Sequence, residues 1–255
     1  MDAFYQPDGR YYIATELTRG PWSDDAQHGG PPLALLGRAI EQAAGSGFVA
    51  RFTAELLRSL PFGRYEVSAE IVRPGKRSQS VNATLALDGV VCARAMALVL
   101  TEAPVALPAT AARPALLSPE ASAPYKFTFF RAPIGYHTAM ELRVARGVWG
   151  SGAMAGWLRM RVPLVAGEDP SPLQRVLVAA DAGNGVSAPL PVEEFLFINP
   201  DLTLHLHQRL QGTWVGLDGL TRVEANGVGL AQAEVYDVNG PVGRSLQSLL
   251  VSRRI

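Results

Sequence analysis

The sequence predicts an α+β fold made of two diverged copies of one unit, with two long central helices wrapped by one continuous antiparallel sheet. Three observations predict it: a hairpin strand that occurs twice, a Pro-led apolar helix that occurs twice, and a Pro-rich stretch between the copies.

The hairpin strands are the run Asp88–Leu100 and the run Asn239–Val251, which start 151 residues apart with no gap between them. Each opens with an Asp-Gly or Asn-Gly turn, the strongest short hairpin signal, and continues as an apolar-rich strand. Further strand-like runs precede each turn: Arg51–Leu60, Arg64–Arg73 and Ser78–Leu87 in the first copy, Asp201–Leu210, Trp214–Val223 and Gly227–Val238 in the second. The helices begin at Pro32 and Pro172, 140 residues apart, and run to about Ala44 and Ala182. Proline suits a first helical turn, where its missing N–H has no intrahelical partner to lose. Both helices are apolar nearly all round, as expected of a helix enclosed by a sheet. The spacings of 140 and 151 differ, so indels separate helix from sheet in one copy. Between the copies, Glu102–Pro124 holds five prolines and reads as a connection. The division is residues 1–103 for the first unit, 104–124 for the linker and 125–255 for the second unit.

Composition narrows the function classes. Hydrophobic residues make up 48% and charged residues 18% of 255 residues, a globular balance. Lys+Arg and Asp+Glu are each 23, so no electrostatic footprint for nucleic acid or a membrane surface is expected. The start shows no basic region followed by an apolar run, and no stretch nears about 20 apolar residues, so a cytoplasmic chain without membrane spans is expected. The single cysteine, Cys92, excludes an intramolecular disulfide and any Cys-cluster metal site, and its apolar surroundings suit a buried inert thiol. There is no GxSxG elbow, HExxH, P-loop or dinucleotide-binding GxGxxG, and no cofactor is expected.

What remains is polar groups set in apolar repeats, and comparing the copies isolates them. His28-Gly29-Gly30-Pro31-Pro32 leads into the first helix. Glycines permit close backbone approach, and N–H groups at a helix start favour developing negative charge, so His28, Gly29 and Gly30 are candidate oxyanion and substrate-binding residues. The second helix is approached through Glu168-Asp169-Pro170-Ser171, which could cap the helix but holds no glycines. Asp181 interrupts the apolar second helix and, at the spacing of 140, matches Glu41. Gln247 stands where the spacing of 151 puts Met96, a polar amide in a core-type strand. Asn199 precedes the strand Asp201–Leu210, where the first copy has the apolar Val49 nearby. Asp181, Gln247 and Asn199 are therefore the candidate catalytic residues. In a paired arrangement the helix start of one copy meets the helix middle of the other, so one site is expected rather than two.

His205 and His207 alternate and would share one strand face, without a visible third metal ligand. Arg38, together with Arg73, Lys76 and Arg77 in a turn, could meet phosphates of a nucleotide carrier.

The stretches Gly20–Pro32, Asn199–His207 and Asn239–Gln247 resemble the thioesterase-like superfamily of acyl-CoA thioesterase II type, over essentially the whole chain. The resemblance implies a tandem (double) hotdog fold and hydrolysis of acyl-CoA thioesters, with acyl-CoA as the partner and without a metal or prosthetic group. It implies a catalytic Asp on the second helix, a Thr or equivalent before the next strand and a Gln in the last strand, which fall on Asp181, Asn199 and Gln247. The departure is Asn199, where a hydroxyl residue is expected; Thr203, the nearest hydroxyl, falls inside the strand by register. The alternative is a non-hydrolytic acyl-CoA or lipid-binding protein on the same scaffold, and a dehydratase would need a catalytic His beside a carboxylate. The sheets also leave edges and faces through which a homo-oligomer could form.

Overall fold

A computed structural model describes residues 3–108 and 114–254; residues 109–113, inside the expected linker, lie outside the described residues. Strands β1 (Tyr5–Asp8) and β2 (Tyr11–Ala14) precede helix α1 (Gly30–Ala44). Then come β3 (Phe48–Leu56), β4 (Arg64–Arg73), β5 (Ser78–Leu87) and β6 (Val90–Leu100). The second half runs β7 (Ala123–Tyr125), α2 (Tyr136–Ala139), β8 (Met140–Gly147), β9 (Ala153–Met160), α3 (Pro172–Ala180), α4 (Gly183–Val186), β10 (Phe195–Ile198), β11 (Asp201–Leu206), β12 (Trp214–Val223), β13 (Val228–Asp237) and β14 (Gly240–Arg253). The tail of the expected linker is thus strand β7, paired with β8 at one edge of the sheet.

All the strands join one sheet in the order β1-β2-β4-β5-β6-β3-β11-β14-β13-β12-β9-β8-β7, with β10 pairing onto β14. The order is nearly palindromic about the antiparallel β3–β11 junction, where Thr203 pairs with Thr53. The halves therefore exchange about an approximate twofold axis through that junction.

Residue pairing corrects the spacing between the copies. Thr53 pairs with Met96, and Thr203 pairs with Leu246; Thr84 pairs with Arg94, and Glu234 with Arg244. Equivalent strand residues are 150 apart, not 151, because the second hairpin turn is Val238-Asn239 rather than Asn239-Gly240. One residue of slip reverses the face of every side chain in a strand. The counterpart of Gln247 is consequently Ala97, 0% exposed, and not Met96, which is 46% exposed on the outer face.

The inner face of the sheet carries small residues such as Ala93, Ala95 and Ala97, which let the helices lie close. Helix α1 spans 15 residues and ends where Gly45 takes φ +68. Helix α3 spans only 9, so the expectation of two long helices holds for the first alone. The two run antiparallel, with Gly30 against Val178 and Glu41 against Ser171. A Cβ on Gly30 would come 2.5 Å from the Val178 carbonyl oxygen, so this glycine is required by helix contact rather than by an unusual φ. Cys92 is buried, as expected.

Candidate active site

The second helix breaks at Asp181, and the break is repaired from a distant strand. Gln247 Nε2 donates to the Asp181 carbonyl oxygen at 3.1 Å, and Gln247 Oε1 accepts from the Asn184 N–H at 3.1 Å. Those are a carbonyl and an amide that a continuous helix would have satisfied within itself. Donor faces acceptor at both ends, so the amide orientation is internally consistent. Gln247 is 2% exposed and fixes the main chain beneath Asp181; its hydrogen bonds go to that main chain and not to the Asp181 carboxylate.

That carboxylate, 3% exposed, lies at the start of α1 in the other half. Asn199 Nδ2 donates to Asp181 Oδ1 at 2.8 Å and to the Asp201 carbonyl at 3.2 Å. His28 Nδ1 lies 3.0 Å from Asp181 Oδ2 and 3.1 Å from Gly30 N. Nδ1 either donates to the carboxylate or accepts from Gly30, depending on whether it carries the proton; it cannot do both. The imidazole stacks face to face on Tyr136, with centroids 3.8 Å apart, which fixes the ring plane. Tyr136 donates its hydroxyl to the Val178 carbonyl. Burial, and then the nearby Asp181 charge, push the Tyr136 phenol well above its ordinary value, so it remains a proton donor there.

Gly29 is the N-cap of α1, and a Cβ on it would stand 2.8 Å from Asp181 Oδ2. Since Pro31 and Pro32 have no N–H, only Gly29 and Gly30 bring backbone donors to this helix start. Gly30 N–H meets His28 Nδ1, while Gly29 lines a pocket of about 370 Å³ together with His28, Asp181, Asn184 and Asn199. Neither Gly30 nor Gln247 lines that pocket.

The structure thus brings His28, Gly29, Gly30, Asp181 and Asn199 together, with Gln247 supporting from behind. Sequence reasoning missed Asn184, whose side chain donates to the Phe197 carbonyl, and Trp22 and Arg58 in the pocket wall. A polar Asn within the small-residue run after Asp181 was the one local signal for the first of these. Other candidates fall elsewhere. Arg38 makes a bidentate pair with Glu168 and bonds Tyr12, and neither it nor Arg73, Lys76 or Arg77 lines the pocket. Ser171, not Glu168 or Asp169, caps α3. Strand β11 stops at Leu206, so His205 and His207 do not share a strand; both are exposed, and no group of three His, Cys, Asp or Glu among the described residues could hold a metal.

The matching family models complete the picture: an acyl-CoA thioesterase N-terminal domain over residues 18–100 and an acyl-CoA thioesterase C-terminal domain over residues 105–251. The chain belongs to the acyl-CoA thioesterase family, and its enzyme class is that of a thioesterase. Among solved structures it is similar to the acyl-CoA thioesterase II TesB2 of Mycobacterium marinum, with a TM-score of 0.69 and 16% identity over 97% of this chain and 94% of that one. It is also similar to a protein with a hot dog fold from Alicyclobacillus acidocaldarius, with a TM-score of 0.74 and 16% identity over 100% and 97% of the two chains. A tesB protein of Mycobacterium avium subspecies paratuberculosis matches with a TM-score of 0.72 and 15% identity over 97% and 95%. At these identities the likeness establishes the hotdog fold. A sequence comparison with curated proteins gives no match. No helix among the described residues is long and apolar enough to cross a membrane.

Proposed function

We propose that this chain hydrolyses acyl-CoA thioesters to a carboxylic acid and free CoA. The observation that carries the reading is the Asp181 carboxylate, buried in a pocket and held between Asn199 and His28 at the start of α1. A water hydrogen-bonded to Asp181 attacks the thioester carbonyl carbon as the carboxylate takes its proton. The oxygen that gains charge is met by the Gly29 N–H and the positive end of α1. The tetrahedral intermediate collapses, the C–S bond breaks, and the departing thiolate takes up the proton held by Asp181. Asn199 fixes one carboxylate oxygen in place of the hydroxyl residue that the family pattern has there. Gln247 serves this chemistry indirectly, by holding the main chain on which Asp181 sits.

The test is release of free thiol from short, medium and long acyl-CoAs. Turnover that collapses in Asp181→Ala and falls in Gln247→Ala, with folding retained, supports the reading. Undiminished turnover in both variants overturns it. Saturable acyl-CoA binding by the wild-type chain, with no thiol released from any chain length, would favour a binding protein instead.

A further inference from the structure

The pocket wall contains one Arg or Lys side chain, Arg58, and the chemistry above gives it no task. Many arginines of this chain are occupied: Arg64 pairs with Asp8, Arg94 with Glu55 and Arg209 with Glu102. Arg58 is exposed and has no ion pair or hydrogen bond among the described residues. Its backbone, by contrast, is anchored. Leu56 N–H donates to the Pro200 carbonyl at 2.7 Å, Leu57 N–H to the Cys92 carbonyl at 2.9 Å, and the Leu60 carbonyl accepts from Gln27 N–H at 2.8 Å. A free guanidinium is thus carried by a fixed segment on the wall that also holds Asp181 and Asn199.

The pseudo-twofold sharpens the point. The counterpart of Arg58 is the neutral Gln208, and the adjacent Arg209 is drawn onto Glu102 and the Ser46 and Gly47 carbonyls. Of the two equivalent places, the one that contains Asp181 and Asn199 presents an unengaged cation, and the other does not.

We propose that Arg58 binds an anionic group of the thioester substrate, either a phosphate of the carrier or a carboxylate on the acyl chain. A guanidinium fork matches both anions, and such bonds are about twice as strong as neutral ones. The proposal rests on the thioesterase reading for its substrate, but its test can be separated from that reading.

Three thioesters would be compared in the wild type, Arg58→Ala and Arg58→Lys: a neutral acyl group on CoA, the same group on N-acetylcysteamine, and an N-acetylcysteamine thioester whose acyl chain ends in a carboxylate. Arg58→Ala is expected to raise KM about tenfold for the anion-bearing substrate that Arg58 recognises, with kcat unchanged, and Arg58→Lys to recover part of the loss. A penalty on the CoA ester alone identifies the carrier phosphates; a penalty on the carboxylate-bearing ester alone identifies the acyl end. Equal effects on all three thioesters, or none, overturn the proposal. In parallel, the neutral acyl-CoA and the carboxylate-bearing ester would be titrated calorimetrically into Asp181→Asn with and without Arg58→Ala. Weaker binding of either ligand in the double variant, beside a wild type that releases no thiol, would leave the subsite standing while the hydrolase reading fails. Brisk wild-type turnover with unchanged affinity for both ligands would do the reverse.

Discussion

Two places in this molecule are equivalent by the approximate twofold and differ in nearly everything chemical. At the start of α1, Asp181 from the other half faces Gly29, and Asn199 stands beside it over a pocket of about 370 Å³. At the start of α3, Glu41 from the first half faces Ser171, Val49 takes the place of Asn199, and the cavity shrinks to about 20 Å³ under Arg209. The Ser171 hydroxyl caps its own helix through the Gln174 N–H and donates to Glu41 at 2.7 Å; the Gln174 side chain adds a second donor. The acid in this second place has internal partners and no room for a substrate. A functional carboxylate needs spare lone pairs and open space as well as burial, and glycine instead of serine at the cap supplies the space.

This contrast can be broken at its largest point first. Asp181→Asn should lower kcat by about 10²–10⁴ with folding retained, the usual share of a general base, whereas Glu41→Gln should leave thiol release within about twofold. Steady-state thiol-release assays on the two variants decide whether the asymmetry is functional.

Gly29→Ala probes the space itself. The added methyl would stand 2.8 Å from Asp181 Oδ2, so the carboxylate must shift. A displacement of about 1 Å can cost on the order of 10²-fold in kcat/KM, and a crystal structure of the variant should show the Asp181–Asn199 bond lengthened.

Gln247→Leu tests the repaired helix break. It leaves the Asp181 carbonyl and Asn184 N–H without their partner, at about 1–3 kcal/mol for each buried group, and should lower both stability and activity. Met96→Gln, on the outer face, should stay within about 0.5 kcal/mol of wild type in a urea melt. Equal costs for the two substitutions would contradict the spacing of 150 between the copies.

The smallest effect concerns pH. Burial holds the Glu41 carboxyl above its ordinary value of 4.5 despite its hydrogen bonds, so the folded chain binds that proton more tightly than the unfolded chain. Stability contributed by this group is therefore present at acid pH and lost as pH rises from the ordinary glutamate value through the raised one. Glu41→Gln removes that loss, because its amide oxygen can still accept from Ser171. Its Tm should exceed wild type by about 2 °C near neutral pH and match it below the ordinary glutamate value.

Much of this was legible in the chain. The boundaries Arg64–Arg73, Ser78–Leu87 and Trp214–Val223 appear in the structure as expected, since turn residues and strand alternation are local signals. Asn199 and the His28-Gly29-Gly30 group stand out because the copies disagree there, and Asp181 because a carboxylate interrupts an otherwise apolar helix. Arg58 did not stand out, since an arginine after a strand looks the same whether it faces solvent or a pocket.

The sequence by itself determined the duplication, the strand–helix order and the polar residues that one copy has and the other lacks. Only the tertiary structure decided how the copies align, that Gln247 replaces Ala97 rather than Met96, and that its amide completes a helix broken 66 residues earlier in the chain. It also decided which of two equivalent places stays open. Pairing register and helix-to-helix distance are set by hydrogen bonds and contacts between residues far apart in the chain, and a one-residue ambiguity in a turn is enough to reverse a strand's faces.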